Sequence, residues 1–236
     1  MILPKDPRQS APERAASLMG LFITFEGNEG SGKSSQIALL AKRLQTMGHR
    51  VNKLREPGGT PIGEEIRHTL KHSLNNQAMT AEAELLLMNA SRAQLVREVI
   101  RPALQRGEIV LCDRFFDSTT AYQGYGRQLD LKMVATIIET AVGNTRPDLT
   151  LLLLVPESVS EQRRAMRDST HPVTRDRFEE ADRQFFARVA QGYEAIAQTE
   201  PTRVRRLDAS RKIDQIETEI WELVRPLAQA LPTKVR

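Results

Sequence analysis

A doubly wound α/β fold, with a five-stranded parallel sheet flanked by helices, is what this 236-residue sequence predicts. Three observations lead there. Short apolar runs recur along the chain with amphipathic helical patterns between them, and alternating strands and helices build parallel sheets with right-handed crossovers. A glycine-rich stretch, "GNEGSGKSS", separates the first such run from the first helical pattern, at the carboxyl end of a strand where these folds hold ligands. Finally, no repeat, low-complexity tract or linker divides the chain, and 40% hydrophobic with 27% charged residues describes one ordinary globular domain.

The elements follow in order. Residues 1–17, "MILPKDPRQSAPERAAS", are rich in proline, charge and small side chains and lack an apolar core of signal-peptide length. They read as a disordered leader before a single domain over 18–236. "LFITFE" (about 21–26) is the first buried strand, and "KSSQIALLAKRLQTMG" the first helix, stopping on Gly48. "RVNKLRE" (about 50–56) is a more polar strand candidate, followed by the helical patterns "GEEIRHTLKHSL" and "TAEAELLLMNASRAQLVREVIRPALQRG". "EIVLCD" (about 108–113), a helix over "LDLKMVATIIETAVG", and "LTLLLLV" (about 149–155) come next. That last run is far too short to cross a bilayer, so no membrane association is expected. A long helical segment from 158 to about 198, a weaker strand "RVRRLD" (about 203–208) and a helix from about 212 to 231 complete the chain.

Gly27, Gly32, Lys33 and Ser34 satisfy G-x-x-x-x-G-K-[ST] between a strand and a helix, the context that identifies a P-loop. Residues Gly27, Asn28, Glu29, Gly30, Ser31, Gly32, Lys33 and Ser34 therefore read as a nucleoside triphosphate site. The glycines let backbone N–H groups close around phosphate oxygens, and the helix N-terminus adds its positive dipole end. Lys33 reaches the β and γ phosphates, and the Ser34 hydroxyl suits Mg²⁺. A GTP switch is disfavoured, because no [NT]-K-x-D tetrapeptide occurs. Asp113 ends "IVLCD" as the acidic residue of a motor ATPase would, but Arg114 follows it at once and points to a second anion. Arg55, Arg92, Arg114 and Arg127 stand near strand ends or loops on the ligand side. The net charge is only +4, acidic residues dilute the arginines between Arg163 and Arg206, and aromatics are 5%, which argues against nucleic acid and for a small polyanion. A lone Cys112 excludes an internal disulfide and fits a reducing, cytoplasmic compartment. His68 and His72 share a helix face without a recognisable third ligand and read as a surface pair. An NTP-dependent switch or binding protein with little phosphotransfer stands as the alternative to a kinase.

In order and spacing, "FEGNEGSGKSSQ", "REPGGT", "DRFFDSTTAYQGYGR", "RPDLTLLLLV" and "DRFEEADRQFFARVAQGY" resemble the bacterial thymidylate kinases, over about 21–223. The resemblance implies a P-loop NTPase-type sheet with an arginine-rich lid, a homodimer built on the "TAEAELLLMNASRAQLV" helix, and transfer of a phosphoryl group from ATP·Mg²⁺ to dTMP. It implies roles by position. Glu29 faces the deoxyribose 3′-hydroxyl, while Arg55 and Arg114 clamp the acceptor phosphate with planar forks. Asp113, with Ser34, organises Mg²⁺ or its waters. Tyr122 and Gln123 line the sugar and base, Ser118 and Thr119 offer hydroxyls to thymine, and Arg92 contacts a thymine carbonyl. Residues 161–177, "EQRRAMRDSTHPVTRDR", match the lid; Arg163 and Arg167 are four apart on one helix face, Arg164 is read as solvated, and Arg175 and Arg177 follow the tip. Gly30 agrees with the form that carries its catalytic arginines in the lid. With no histidine in the motifs, the catalytic set is Lys33, Asp113, Arg114, Arg163 and Arg167, acting by position and charge. One position breaks the pattern. Met88 stands four residues before Arg92, where the family usually carries a Phe that stacks on thymine, with Phe116 or Tyr125 as candidate compensations.

Overall fold

The computed structural model describes residues 19–170 and 183–231. Five parallel strands, β1 (Leu21–Glu26), β2 (Val51–Arg55), β3 (Ile109–Asp113), β4 (Leu149–Leu154) and β5 (Val204–Asp208), lie in the order β2-β3-β1-β4-β5. The more polar strand candidate and the weaker one are the two edges. Each pairs on one side only, so β2 and β5 are partly exposed while every residue of β1 is buried.

Helices cover both faces: α1 (Lys33–Thr46), α2 (Pro61–His72), α3 (Ala81–Leu95), α4 (Arg101–Gln105), α5 (Phe116–Thr119), α6 (Leu131–Val142), α7 (Glu157–Thr170), α8 (Arg183–Thr199) and α9 (Ile213–Gln229). Alternation along β1 divides the core. Leu21, Ile23 and Phe25 join Leu40 and Leu44 of α1 and Ile220 and Val224 of α9, whereas Phe22 joins Leu85 and Leu95 of α3 and Val134 and Ile138 of α6. By the same period Thr24 and Glu26 fall on the second face, where the Thr24 hydroxyl meets that of Thr150 at 2.7 Å. A third cluster unites Ala121, Leu152, Phe185, Val189 and Tyr193. Cys112 is fully buried, and His68 and His72 form an exposed pair with ring centroids 6.0 Å apart.

Two helical patterns differ from the sequence reading. The helix after α3 carries a π-helical stretch, Val96–Ile100, before α4. More unexpectedly, "DSTTAYQGYG" folds as α5 running into a π-helical stretch, Thr120–Gly126. Gly124 and Gly126 give this segment poor intrinsic helicity, and the sequence reading assigns it no helix. Packing against α8 overrides that preference. A Cβ on Gly126 would come 2.6 Å from the Phe185 ring, and one on Gly192 would come 2.9 Å from Tyr125. These glycines are the condition for two helices to touch.

Candidate active site

The loop after β1 is formed mainly by backbone. At Gly27, φ is +129°, and a Cβ would lie 1.9 Å from the Leu153 carbonyl oxygen, so only glycine lets the chain turn against β4. Asn28 pins the turn, donating to the Val155 carbonyl at 2.9 Å and accepting from the Val155 N–H at 3.3 Å. Ser160 of α7 donates to the Glu29 carbonyl at 2.7 Å. Lys33 lies back across the loop, its Nζ donating to the Gly27 and Asn28 carbonyls at 3.2 and 2.9 Å. Burial, then the nearby Arg114 charge, lower its pKa to about 8. At the same mouth the Ser34 hydroxyl donates to Asp113 Oδ2 at 3.1 Å, joining residues from α1 and β3.

Hard oxygen donors of this kind suit Mg²⁺, which keeps most of its waters and borrows phosphate oxygens rather than requiring a full protein cage. Among the described residues there is no group of three or more His, Cys, Asp or Glu able to hold a metal. Ser34 and Asp113 fit the ion as a minimal pair.

Opening from this loop is a cavity of about 380 Å³. It brings together Glu29, Gly30, Gly32, Lys33, Ser34, Arg55, Met88, Arg92, Asp113, Arg114, Ser118, Thr119, Tyr122 and Gln123 from the sequence-predicted set. Gly27, Asn28 and Ser31 form the loop behind the lining, with Ser31 Oγ 3.4 Å from Lys33 Nζ. Arg163 also stays behind it, donating to the carbonyls of Gly30 at 3.2 Å and Ala209 at 3.0 Å. It ties α7 to the loop and to the end of β5. Gly30 has φ +71°, and a Cβ there would approach the Ser160 carbonyl to 3.0 Å, a second point where α7 touches the loop. The side chains of Arg164 and Arg167, and the lid tip with Arg175 and Arg177, lie outside the described residues.

On the far side, buried carboxylates hold the cavity's cations and amide. Arg92 is 2% exposed, donating to Glu56 Oε2 at 2.8 Å, Asn89 Oδ1 at 2.8 Å and the Phe115 carbonyl at 3.2 Å. Burial raises the pKa of Glu56, its Arg92 partner opposing, and Glu56 Oε1 is buried with no partner. Arg114 has φ +66°, a left-handed conformation a bulky residue rarely adopts, held by its N–H on the Phe25 carbonyl at 2.9 Å. Its Nη1 donates to the hydroxyls of Ser118 and Tyr193, both at 3.1 Å, and its guanidinium lies 5.2 Å from the Tyr122 ring. Behind those hydroxyls stands Glu26, whose carboxylate accepts from Phe115 N–H at 2.7 Å, Ser118 Oγ at 2.5 Å and Tyr193 Oη at 3.1 Å. Burial, then the nearby Asp117 charge, push Glu26 up to about 7. Asp117 is itself paired with Arg203 at 2.7 Å.

Gln123 donates to Glu84 Oε1 at 2.8 Å, and Arg127 forks onto both oxygens of Glu84 at 3.2 and 3.0 Å. Arg127 thus belongs to this support and does not line the cavity. Arg55, half exposed, pairs with Glu64 at 3.1 Å. Such a pair contributes little in water, which leaves Arg55 able to turn to a phosphate. Of the candidate compensating aromatics, Phe116 packs against Arg146 and Arg203, and Tyr125 against Gly192; the cavity's aromatics are Phe115, Tyr122 and Phe186.

Sequence reasoning missed Glu26, Glu56, Glu84, Tyr193 and Phe186. A signal existed for two of them: Glu26 closes an otherwise apolar buried strand, and Glu84 interrupts the apolar face of α3. A carboxylate in such a place requires partners.

The thymidylate kinase family model matches residues 25–220. Thymidylate kinases of Syntrophotalea carbinolica and Deinococcus radiodurans are each 48% identical, over 86% and 87% of this chain and 94% and 96% of theirs. The crystal structure of thymidylate kinase from Ehrlichia chaffeensis superposes with a TM-score of 0.70 at 31% identity, covering 87% of this chain and 98% of that one. A P-loop, an arginine-walled cavity beside it and these similarities agree, and the chain belongs to the thymidylate kinase family.

Proposed function

We propose that the protein transfers the γ-phosphoryl group of ATP to dTMP, giving dTDP and ADP. The observation that carries this reading is the single cavity holding Lys33 and Ser34 at one end and Arg92, Arg114 and Gln123 at the other. In the reaction a dTMP phosphate oxygen bonds to the γ-phosphorus as the bond to the ADP oxygen breaks. No proton needs to be removed from a phosphate already ionised near neutral pH, so position and charge supply the catalysis.

Each residue then has a task. Backbone N–H groups of 27–34 and Lys33 hold the β and γ phosphates, and Lys33 is drawn off the loop carbonyls when phosphates replace them. Ser34 and Asp113 would hold Mg²⁺, which would supply neutralisation of the charge on the transferring phosphoryl group. Arg114, set by its strained backbone, and Arg55 hold the acceptor phosphate, while Glu29 accepts from the sugar 3′-hydroxyl. Arg92, Tyr122, Thr119 and Gln123 surround the base, with Ser118 placing Arg114 as well as offering its hydroxyl. Arg163 keeps α7 on the loop, and Arg167 belongs to the lid that closes over ATP.

Among the described residues no helix is long and apolar enough to cross a membrane, and the family resemblance supports a cytoplasmic homodimer. Leu86 on α3, 56% exposed, is the kind of residue a partner subunit would cover. Coupled ADP release with dTMP, dUMP, dGMP or no acceptor tests the assignment. ADP release that depends on dTMP supports it, and release indifferent to acceptor overturns it. Light scattering reports the dimer.

A further inference from the structure

Glu84 lines no part of the cavity, yet it determines which way the cavity's one glutamine points. An ionised carboxylate only accepts hydrogen bonds, and Arg127 forks onto both oxygens of Glu84. The group of Gln123 that meets Glu84 Oε1 at 2.8 Å must therefore be its NH₂. The amide oxygen is left at the other end. Gln123 is 1% exposed and lines the cavity, and among the described residues no group donates to that oxygen. Glu84 itself is 0% exposed, so water does not compete for the contact.

The same cavity is lined by Arg92, which has only donors to offer and is locked by Glu56 and Asn89. One acceptor and one donor, each held in direction on the wall of one cavity, suit a base edge with the reverse pattern. Thymine and uracil present it: a ring N3–H that donates and a neighbouring carbonyl that accepts. Cytosine has an unprotonated N3 and an exocyclic NH₂, the opposite pattern.

We propose that Glu84 is a specificity-determining positioning residue, fixing the Gln123 amide with its oxygen toward the ligand so that the site accepts pyrimidines bearing an N3–H and rejects cytosine. This rests on the dTMP reading above. Glu84→Gln is the sharp test. Arg127 still demands an acceptor, so the new amide turns its oxygen to Arg127 and its NH₂ to Gln123. Gln123 then flips and presents NH₂ to the base.

The measurement is kcat/KM for dTMP, dUMP and dCMP with wild type, Glu84→Gln and Glu84→Asp. Wild type should prefer dTMP and dUMP to dCMP. In Glu84→Gln the dTMP-to-dCMP preference should fall about tenfold or more, since the buried amide now opposes N3–H, whereas the preference for dTMP over dUMP stays. Glu84→Asp, still an acceptor only, should keep the wild-type order. A Glu84→Gln enzyme that loses dTMP and dCMP activity in equal proportion overturns the proposal and makes Glu84 merely structural. If Glu84→Gln does not fold, Gln123→Met, which leaves the Glu84–Arg127 pair whole, takes its place; an unchanged preference there overturns the proposal too. A wild type that phosphorylates none of these pyrimidine nucleotides would instead sink the dTMP reading.

Discussion

The two ends of the cavity are made of different material. The end proposed to hold the triphosphate is backbone: a turn that only glycine permits at 27, carbonyls that hold Lys33, and a helix N-terminus. The acceptor end is side chain upon side chain, with Arg92 on Glu56, Gln123 on Glu84, and Arg114 on two hydroxyls backed by Glu26. Backbone groups recognise what every nucleoside triphosphate shares. Distinguishing one base from another takes donors and acceptors fixed in direction, and Arg92 and Gln123 are each held by a buried carboxylate. Generality is local in sequence; specificity is assembled from residues tens of positions apart.

The largest effect should come from the one side chain on which the backbone end depends. Lys33→Ala is expected to lower turnover by about 10²-fold or more, because a charge placed on the transferring phosphoryl group is lost while the loop's N–H groups remain. Circular dichroism should show an unchanged fold. A folded variant with near-normal turnover would break the assignment of this end.

Next is the support of Arg114. Glu26→Gln removes the carboxylate that makes both hydroxyls acceptors for the guanidinium, and should weaken dTMP use roughly 10- to 30-fold with the apparent affinity for ATP little changed. It also has a pH signature. Glu26 titrates near 4.5 in the unfolded chain and at about 7 in the folded protein, so between these values the native state holds the extra proton. By linkage this group's contribution to stability declines as pH rises from about 4.5 to about 7. Relative to Glu26→Gln, wild type should therefore lose stability between pH 5 and pH 8, on the order of a few kcal/mol. Urea melts at both pH values measure it. A constant difference would mean that Glu26 is not held as described.

Arg163 tests where the boundary between the two ends lies. Its contacts are to the carbonyls of Gly30 and Ala209, on the triphosphate side. Arg163→Ala should lower turnover about tenfold through loosening of α7 against the loop, leaving dTMP affinity in place. An effect confined to dTMP affinity would put Arg163 on the wrong side of this division.

The same division explains what could be read in the sequence. The P-loop is eight contiguous residues whose spacing is the mechanism, and the strand–helix alternation fixed the sheet around it. Polar β2 and β5 were harder to recognise because edge strands need not be apolar on both faces. The Thr120–Gly126 stretch was illegible as a helix, since its glycines matter only once α8 is packed on them. Glu26, Glu56 and Glu84 were illegible in another way. A carboxylate's role lies in its partner, and Glu84 is 39 positions from Gln123, while Glu26 is 167 from Tyr193. Arg127 looked like a cavity residue by its loop position; only the fold reveals that it pairs with Glu84 instead.

The smallest expected effect concerns the base's flat face. Met88 lines the cavity at the position where the family resemblance implies a Phe, and a thioether is polarisable but lacks a flat π-face. Base–aromatic stacking is worth about 1–3 kcal/mol per base in single-strand sites. Phe115, Tyr122 and Phe186 also line the cavity and offer rings for part of that, whereas Phe116 and Tyr125 are occupied elsewhere. Met88→Phe should therefore tighten dTMP binding only toward the lower end of that range, about fivefold. Because stacking is blind to the hydrogen-bonding edge, dTMP and dCMP should gain alike, in contrast to substitution of Glu84. Titration of both nucleotides into wild type and Met88→Phe decides it. Unchanged or poorer dTMP affinity would mean the existing aromatics fill the space above the base, and a gain for dTMP alone would mean position 88 takes part in reading the edge.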